Sequence, residues 1–171
     1  ADPILGEGDV VVVISQSGET ADSLAALRLA KSRGVPVYAI VNVVGSSIAR
    51  EADNTIYIWA GLEIAVATTK AFTSQVAVLY TLALRLAIDR KTISDERANS
   101  LAEAMKSLPD VVAKTLTDDR IALYQHLASL NRSKHDFFII GRGQDYAAGC
   151  EGAMKIKEVS YLHCESYAAG E

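Results

Sequence analysis

Cysteine is scarce: Cys150 and Cys164 are the only two in 171 residues. That is too few for the bridged frameworks that hold small secreted domains together, and it fits a reducing cytoplasm. A basic surplus is also missing. Lys plus Arg number 17 against 21 Asp plus Glu, a net charge of -4, whereas a nucleic-acid partner calls for a cationic face. The N-terminus, ADPILGEGD, is acidic and has no long apolar core, so it does not read as a secretory leader. What is present is a chain that is 50% hydrophobic and 22% charged. It can bury a core, which excludes general disorder. The most apolar region, 64–88, is interrupted by Lys70, Gln75, Arg85 and several threonines, and reads as a long buried helix rather than a membrane span. Both ends look cut, as in a fragment of something larger.

Along the chain, 10–14 (VVVVI) is a continuous β-branched run, the pattern of a strand buried on both faces of a parallel sheet. A hydroxyl-rich turn at 15–20 follows, then a helix with Leu24 and Leu27 on one side and Gly34 as its stop. A second strand is expected over 35–41 (VPVYAIV), with Pro36 near its start. This is a βαβ unit. A short helix at 47–51, a strand near 55–59 and a long helix over 63–89 come next. The segment 94–116 is amphipathic, with Leu101, Met105 and Leu108 on one side, and Pro109 kinks or divides it. A helix at 118–130, a strand at 136–140 and a helix at 146–161 follow. The remainder reads as helix or turn. A strand, a Gly-containing turn and a helix occur at both ends, which suggests two related α/β lobes joined by helices.

The turn Ser15, Gln16, Ser17, Gly18, Glu19, Thr20 leads from a buried strand into a helix. Ligands collect at such strand ends in open α/β sheets. A helix start offers free backbone N–H groups and the positive end of the dipole. Three hydroxyls, with Gly18 allowing close approach, suit a phosphate ester held without lysine or metal. The ordinary alternative is a helix cap, which needs only one hydroxyl. The sequence Gly141, Arg142, Gly143 starts like a dinucleotide motif but meets Tyr146 where a third small residue is required, so it reads as a tight strand-to-helix turn.

Glu151, Lys155 and Glu158 fall at i, i+4 and i+7, on one helix face. Gly149, Gly152, Ala153 and Ile156 lie roughly opposite, where small residues allow close packing. A carboxylate–ammonium–carboxylate row in a cleft could move a proton next to a carbonyl. The alternative is a solvated set of helix ion pairs.

Four collinear segments, SQSGETADSLAALRLAKSRG (15–34), NVVGSSIARE (42–51), EIAVATTKAFTSQ (63–75) and GRGQDYAAGCEGAMKIKEVSYLHCESYAAGE (141–171), resemble the glucosamine-6-phosphate synthase family, the isomerising glutamine–fructose-6-phosphate aminotransferases. The match lies in the family's sugar-isomerase (SIS) part. It implies an SIS-type three-layer α/β/α fold, with parallel sheet flanked by helices and both ends truncated. The implied organisation is a first SIS lobe over 1–90, connecting helices over 91–131 and the start of a second lobe from 132. It implies fructose 6-phosphate or glucosamine 6-phosphate as ligand and a homodimer as the assembly. No cofactor, metal, nucleic acid or membrane is implied. By the family motif, Ser15, Gln16, Ser17 and Thr20 hold the phosphate, and Val66 and Thr68 contact the sugar. Glu158 is the carboxylate that moves the proton between C1 and C2, supported by Lys155 and Glu151. The sequence departs from the family pattern at Leu62, Ala65 and Thr68, which stand where proline, glycine and serine are usual; Thr68 keeps a hydroxyl. The family's glutaminase domain, its nucleophilic cysteine, its ring-opening histidine and its imine-forming lysine are expected outside these residues. Cys150 and Cys164 are expected in packed helix surroundings, and His126, His135 and His163 as structural or surface groups. Without its missing parts the segment is expected to lack synthase activity. The other reading is an SIS module that senses sugar phosphates without chemistry.

Overall fold

The computed structural model describes residues 3–170; Ala1, Asp2 and Glu171, where the expected truncation points fall, lie outside the described residues. The chain divides into two compact units between Ala98 and Asn99.

In the first unit, strand β1 (Val11–Ser15) leads through the hydroxyl turn into helix α1 (Ala21–Ser32). Strand β2 (Val37–Val41), the short helix α2 (Ser47–Glu51) and strand β3 (Asn54–Tyr57) follow. The sheet order is β1-β2-β3, all parallel, with Val11 beside Val37 and Tyr38 beside Asn54. Alternation along the strands sends Val13, Val37, Ala39 and Val41 to one face, where Leu27 and Ala30 of α1 and Ile48 of α2 close the core. Full burial of a leucine such as Leu27 stabilises the unit by roughly 1.5–3 kcal/mol. Ile40, one position out of step, points to the other face. There it meets Ile58 and, from helix α3 (Lys70–Asp89), Ala71 and Val78. Helices on both faces of a parallel sheet make the three-layer order expected from the sequence.

Three expectations for this unit need correction. The long helix starts at Lys70, not near 63, and 58–69 is irregular. Trp59 and Gly61 take positive φ values of 52° and 71°, and Lys70 Nζ donates to the Leu62 carbonyl at 2.5 Å, which folds the segment back on the helix start. Thr68 and Thr69 are poor helix formers just before that start. Secondly, the long helix is not buried within its own unit. Of α3 only Ala71 is fully buried, while Tyr80 and Leu86 are half exposed. By length and composition α3 could cross a membrane; it meets the sheet at Ile40 and Ile58 through Ala71 and Val78. Thirdly, the run in β1 is not covered on both faces. Val12 and Ile14 are 42% and 40% exposed, because α3 closes this face only around Ile40 and Ile58 and leaves Ile56 of β3 equally open.

Helix α4 (Asp95–Lys106) crosses the division between the units. Pro109 sits in the first turn of α5 (Leu108–Ala113), where its missing N–H is harmless, so it divides the helical segment rather than kinking it. Helix α6 (Asp118–Leu130) follows, then strand β4 (Asp136–Gly141), helix α7 (Gln144–Ser160) and strand β5 (His163–Ala168). β5 pairs parallel with β4, with Asp136 beside His163, and completes a second βαβ unit. The sequence pattern of this last segment suggests helix or turn, and the strand corrects it. Tyr161 takes the left-handed conformation, φ 58°, and stops α7. The strand then buries little more than Cys164 against the helix, with no β-branched side chain to announce it. Cys164 therefore sits packed as expected but in a strand, whereas Cys150 on α7 is exposed and lacks the packed surroundings expected of it.

Candidate functional site

The hydroxyl turn is built by backbone committed elsewhere. Gly18 donates its N–H to Ser15 Oγ at 3.0 Å, and its carbonyl accepts from Ile48 N–H at 3.0 Å. Ser15, 7% exposed, also meets Thr20 Oγ1 at 3.2 Å. Ser17 Oγ accepts from Glu19 N–H at 3.2 Å. Thr20 occupies the N-cap position of α1 with extended backbone, yet its side chain makes no capping bond. The cap alternative requires that bond. The first amides of α1 thus keep the unpaired donors that every helix start presents, next to Ser15, Ser17 and Thr20. Gly18 has φ +68°, and a Cβ there would lie 2.0 Å from Ser46 Oγ, so only glycine fits.

Glu19 would oppose an anion at this helix start, but its carboxylate is turned away. It accepts Ser47 N–H at 2.7 Å. The Ser47 hydrogen bonds, with help from the charge of Arg50, hold its carboxyl below the usual range. Gln16 points to a neighbouring cleft of about 430 Å3 at the carboxyl ends of the strands, shared with Asn42, Trp59, Gly61, Leu62 and Glu63. Asn42 joins the cleft walls by donating to Gly61 O at 2.7 Å and accepting from Ala60 N–H at 2.9 Å. Val66 and Thr68 lie in the irregular segment before α3. Val66 is 95% exposed, and among the described residues no hydrogen bond joins either one to the turn.

In the second unit the charged row on α7 is formed. Lys155 Nζ lies 2.7 Å from Glu158 Oε2 and 3.5 Å from Glu151 Oε1. The side chains of Lys155 and Glu151 are 21% exposed and that of Glu158 is 34% exposed, more shielded than an ordinary surface pair. The hydrogen bond to Glu158 comes first, ahead of the charge of Glu151, in raising the Lys155 pKa against the opposing cost of desolvation. Lys155 is therefore a fixed ammonium between two carboxylates. On the far face, a Cβ on Gly149 would come within 2.7 Å of Ser166 Oγ and 2.9 Å of Ile139 Cγ2, so the small residues do bring the helix onto the sheet. Lys155 also borders a groove of about 540 Å3 with Asn131, Arg132, Phe137 and Leu162. Lys157 is occupied by Glu165, and His163 by Asp136 at 2.9 Å. His126, His135 and His163 are all exposed.

Residues 2–85 match the SIS domain model. An SIS domain therefore covers residues 2–85 of the chain. The chain is 53% identical over 169 residues to the glutamine–fructose-6-phosphate aminotransferase (isomerizing) of Clostridium tetani, and 50% identical over 169 residues to that of Caldanaerobacter subterraneus. Both alignments cover 99% of this chain and 28% of the relative. Among solved structures, the C-terminal domain of glucosamine-fructose-6-phosphate aminotransferase from Francisella tularensis matches with a TM-score of 0.95 at 37% identity. That match covers 100% of this chain and 48% of the other. The chain thus spans under a third of the curated relatives it matches.

Sequence reasoning missed Glu19, Ser46 and Asn42 as builders of the SIS turn and cleft. Asn42, directly after a strand, is a residue type that bonds nearby backbone, and that signal could have marked it. Nothing local to Glu19 or Ser46 announces what they meet, since 28 residues separate Glu19 from its partner Ser47 and Ser46 lies against Gly18.

Proposed function

We propose that this chain is part of the sugar-phosphate isomerase portion of a glucosamine-6-phosphate synthase. The observation that supports it is the start of α1 left without a side-chain cap beside the hydroxyls of Ser15, Ser17 and Thr20. In this reading Ser15, Gln16, Ser17 and Thr20 bind the phosphate of fructose 6-phosphate or glucosamine 6-phosphate, and Val66 and Thr68 contact the sugar. The lobes run over 1–90 and from 132, joined by the helices of 91–131. A glutaminase domain of the same polypeptide supplies ammonia, and the protein acts in the cytoplasm as a homodimer.

The chemistry is a ketose-to-aldose shift. Ammonia adds to C2 of open-chain fructose 6-phosphate and water leaves, giving an imine. A base removes a proton from C1 and returns one to C2, which leaves the amine on C2 and an aldehyde at C1. Glu158 is the carboxylate for that transfer, with Lys155 and Glu151 fixing its place and charge. Holding the remote phosphate anchors the sugar for the proton transfer.

The tight Lys155–Glu158 pair favours a second reading, an SIS module that senses sugar phosphates without chemistry, because a paired carboxylate at a helix surface needs no further purpose. Solvent-deuterium incorporation at C1 or C2 of the sugar separates the two, measured with the full-length polypeptide carrying these residues. The synthase reading expects incorporation in the wild type and none in Glu158→Gln, with sugar-phosphate binding kept. Binding without any incorporation in the wild type favours the sensor. Loss of binding in Ser17→Ala, with unphosphorylated fructose inert throughout, checks the phosphate turn itself.

A further inference from the structure

We infer that Glu19 and the start of α2 form a brace that holds the 15–20 turn in its anion-binding shape, with Glu19 as a positioning residue. The inference rests on the phosphate reading of that turn and adds a part that touches no ligand.

The turn is tied to α2 and to the residue that follows β2. Glu19 Oε1 accepts Ser47 N–H at 2.7 Å, Gly18 O accepts Ile48 N–H at 3.0 Å, and Gln16 O accepts Asn42 N–H at 3.1 Å. Ser46 backs the turn from behind. It is 3% exposed, and a Cβ on Gly18 would come within 2.0 Å of its hydroxyl. That hydroxyl has no hydrogen-bond partner among the described residues. A buried hydroxyl is normally satisfied, so the close fit of Ser46 to Gly18 is kept despite that cost. Helix α2 has five residues, too few to persist alone. Ile48, fully buried in the sheet core, fixes it in place. A line of contacts therefore runs from the core through Ile48 to the Gly18 carbonyl, and in parallel from Ser47 to Glu19. The same bond that braces the turn turns the Glu19 charge away from the start of α1.

Two substitutions separate brace from charge. Glu19→Ala removes both. Glu19→Gln removes the charge and keeps an oxygen that can accept from Ser47 N–H. With the full-length polypeptide, calorimetric titration with fructose 6-phosphate should show Glu19→Ala binding about tenfold more weakly than wild type, and Glu19→Gln restoring binding. Amide exchange at Gly18 and Ser47 in the free protein should quicken in Glu19→Ala and not in Glu19→Gln, with both variants still folding and unfolding at similar temperatures. If Glu19→Ala binds as tightly as wild type or more tightly, charge relief outweighs the brace and the inference is overturned. If folded wild type binds no sugar phosphate, the phosphate reading fails instead. The exchange data then decide the brace alone: quickened exchange supports it, and unchanged exchange removes it.

Discussion

The chain uses one local design twice, strand, glycine-containing turn, helix, and puts different chemistry on each copy. From β1 to α1 the turn is Ser-Gln-Ser-Gly-Glu-Thr, and its hydroxyls and uncapped amides gather at the helix start. From β4 to α7 the turn is Gly-Arg-Gly, with Gly143 at the cap position and no hydroxyl to offer. There a Cβ on Gly141 would come within 2.6 Å of Tyr146 N, so glycine serves close packing of strand end on helix start. The groups proposed for chemistry in the second copy lie farther along, at Glu151, Lys155 and Glu158. A helix start binds an anion through backbone and dipole, whereas a helix flank can present a titratable row and needs its opposite face stripped of bulk to pack. The fold is the same; the placement of small residues and hydroxyls decides which end does the work.

The sharpest break of this comparison is alanine at the positive-φ glycine of each turn, Gly18 and Gly143. At Gly18, φ +68°, the new Cβ would meet Ser46 Oγ at 2.0 Å and Ser46 Cβ at 2.5 Å. Backbone strain and overpacking add, so Gly18→Ala should cost about 3 kcal/mol in denaturant unfolding. At Gly143, φ +58°, nothing lies within 4 Å, so only the strain remains and the cost is about 1 kcal/mol. Equal losses at the two positions would mean that the first turn is no more crowded than the second.

Acid and alkali should separate the units next. The carboxyls held below their ordinary values, Glu19, Glu51, Asp53 and Glu96, all belong to the first unit. Asp53 is lowered first by the Val37 N–H and then by Lys31, and Glu51 first by Arg28. A depressed carboxyl contributes stability above its unfolded pKa and loses it as pH falls through the lower folded value. The first unit should therefore weaken as pH drops below about 4. Lys155 in the second unit is raised, so its contribution is complete below the ordinary lysine value and is lost only as pH rises past about 10. Amide exchange followed across pH reads both units at once. An acid loss confined to the second unit would contradict the assignment.

Most of the first unit was legible because its signals are local. The β-branched run, Gly34 and the hydroxyl turn each act over a few residues, and parallel strands follow from the alternation of strand and helix. The start of α3 was not legible, because the fold of 58–69 depends on Trp59 in a left-handed conformation and on Lys70 reaching back to Leu62. Strand β5 was hidden for a related reason. Cys164 and Ser166 are small because Gly149 brings α7 close, and a strand packed that tightly carries no bulky apolar pattern. At the site, residue types on one turn or one helix face could be read directly. The contact of Glu19 with Ser47 could not, since it exists only once β2 has brought α2 beside the turn.

The smallest expected effect concerns the charged row. Lys155→Met removes both ion pairs and leaves Glu151 and Glu158 without their shared cation. If the row is kept for chemistry, folding depends little on it, and urea unfolding should show a loss of no more than about 1 kcal/mol. Its packing face, by contrast, should matter more. Gly149→Ala sets a Cβ 2.7 Å from Ser166 Oγ and 2.9 Å from Ile139 Cγ2, and should cost roughly 1–3 kcal/mol. A helix whose back is sensitive and whose charged front is indifferent holds that front for something other than stability. A Lys155→Met loss equal to or above that of Gly149→Ala would make the row a structural clasp, and the case for Glu158 as a base would then rest on family resemblance alone.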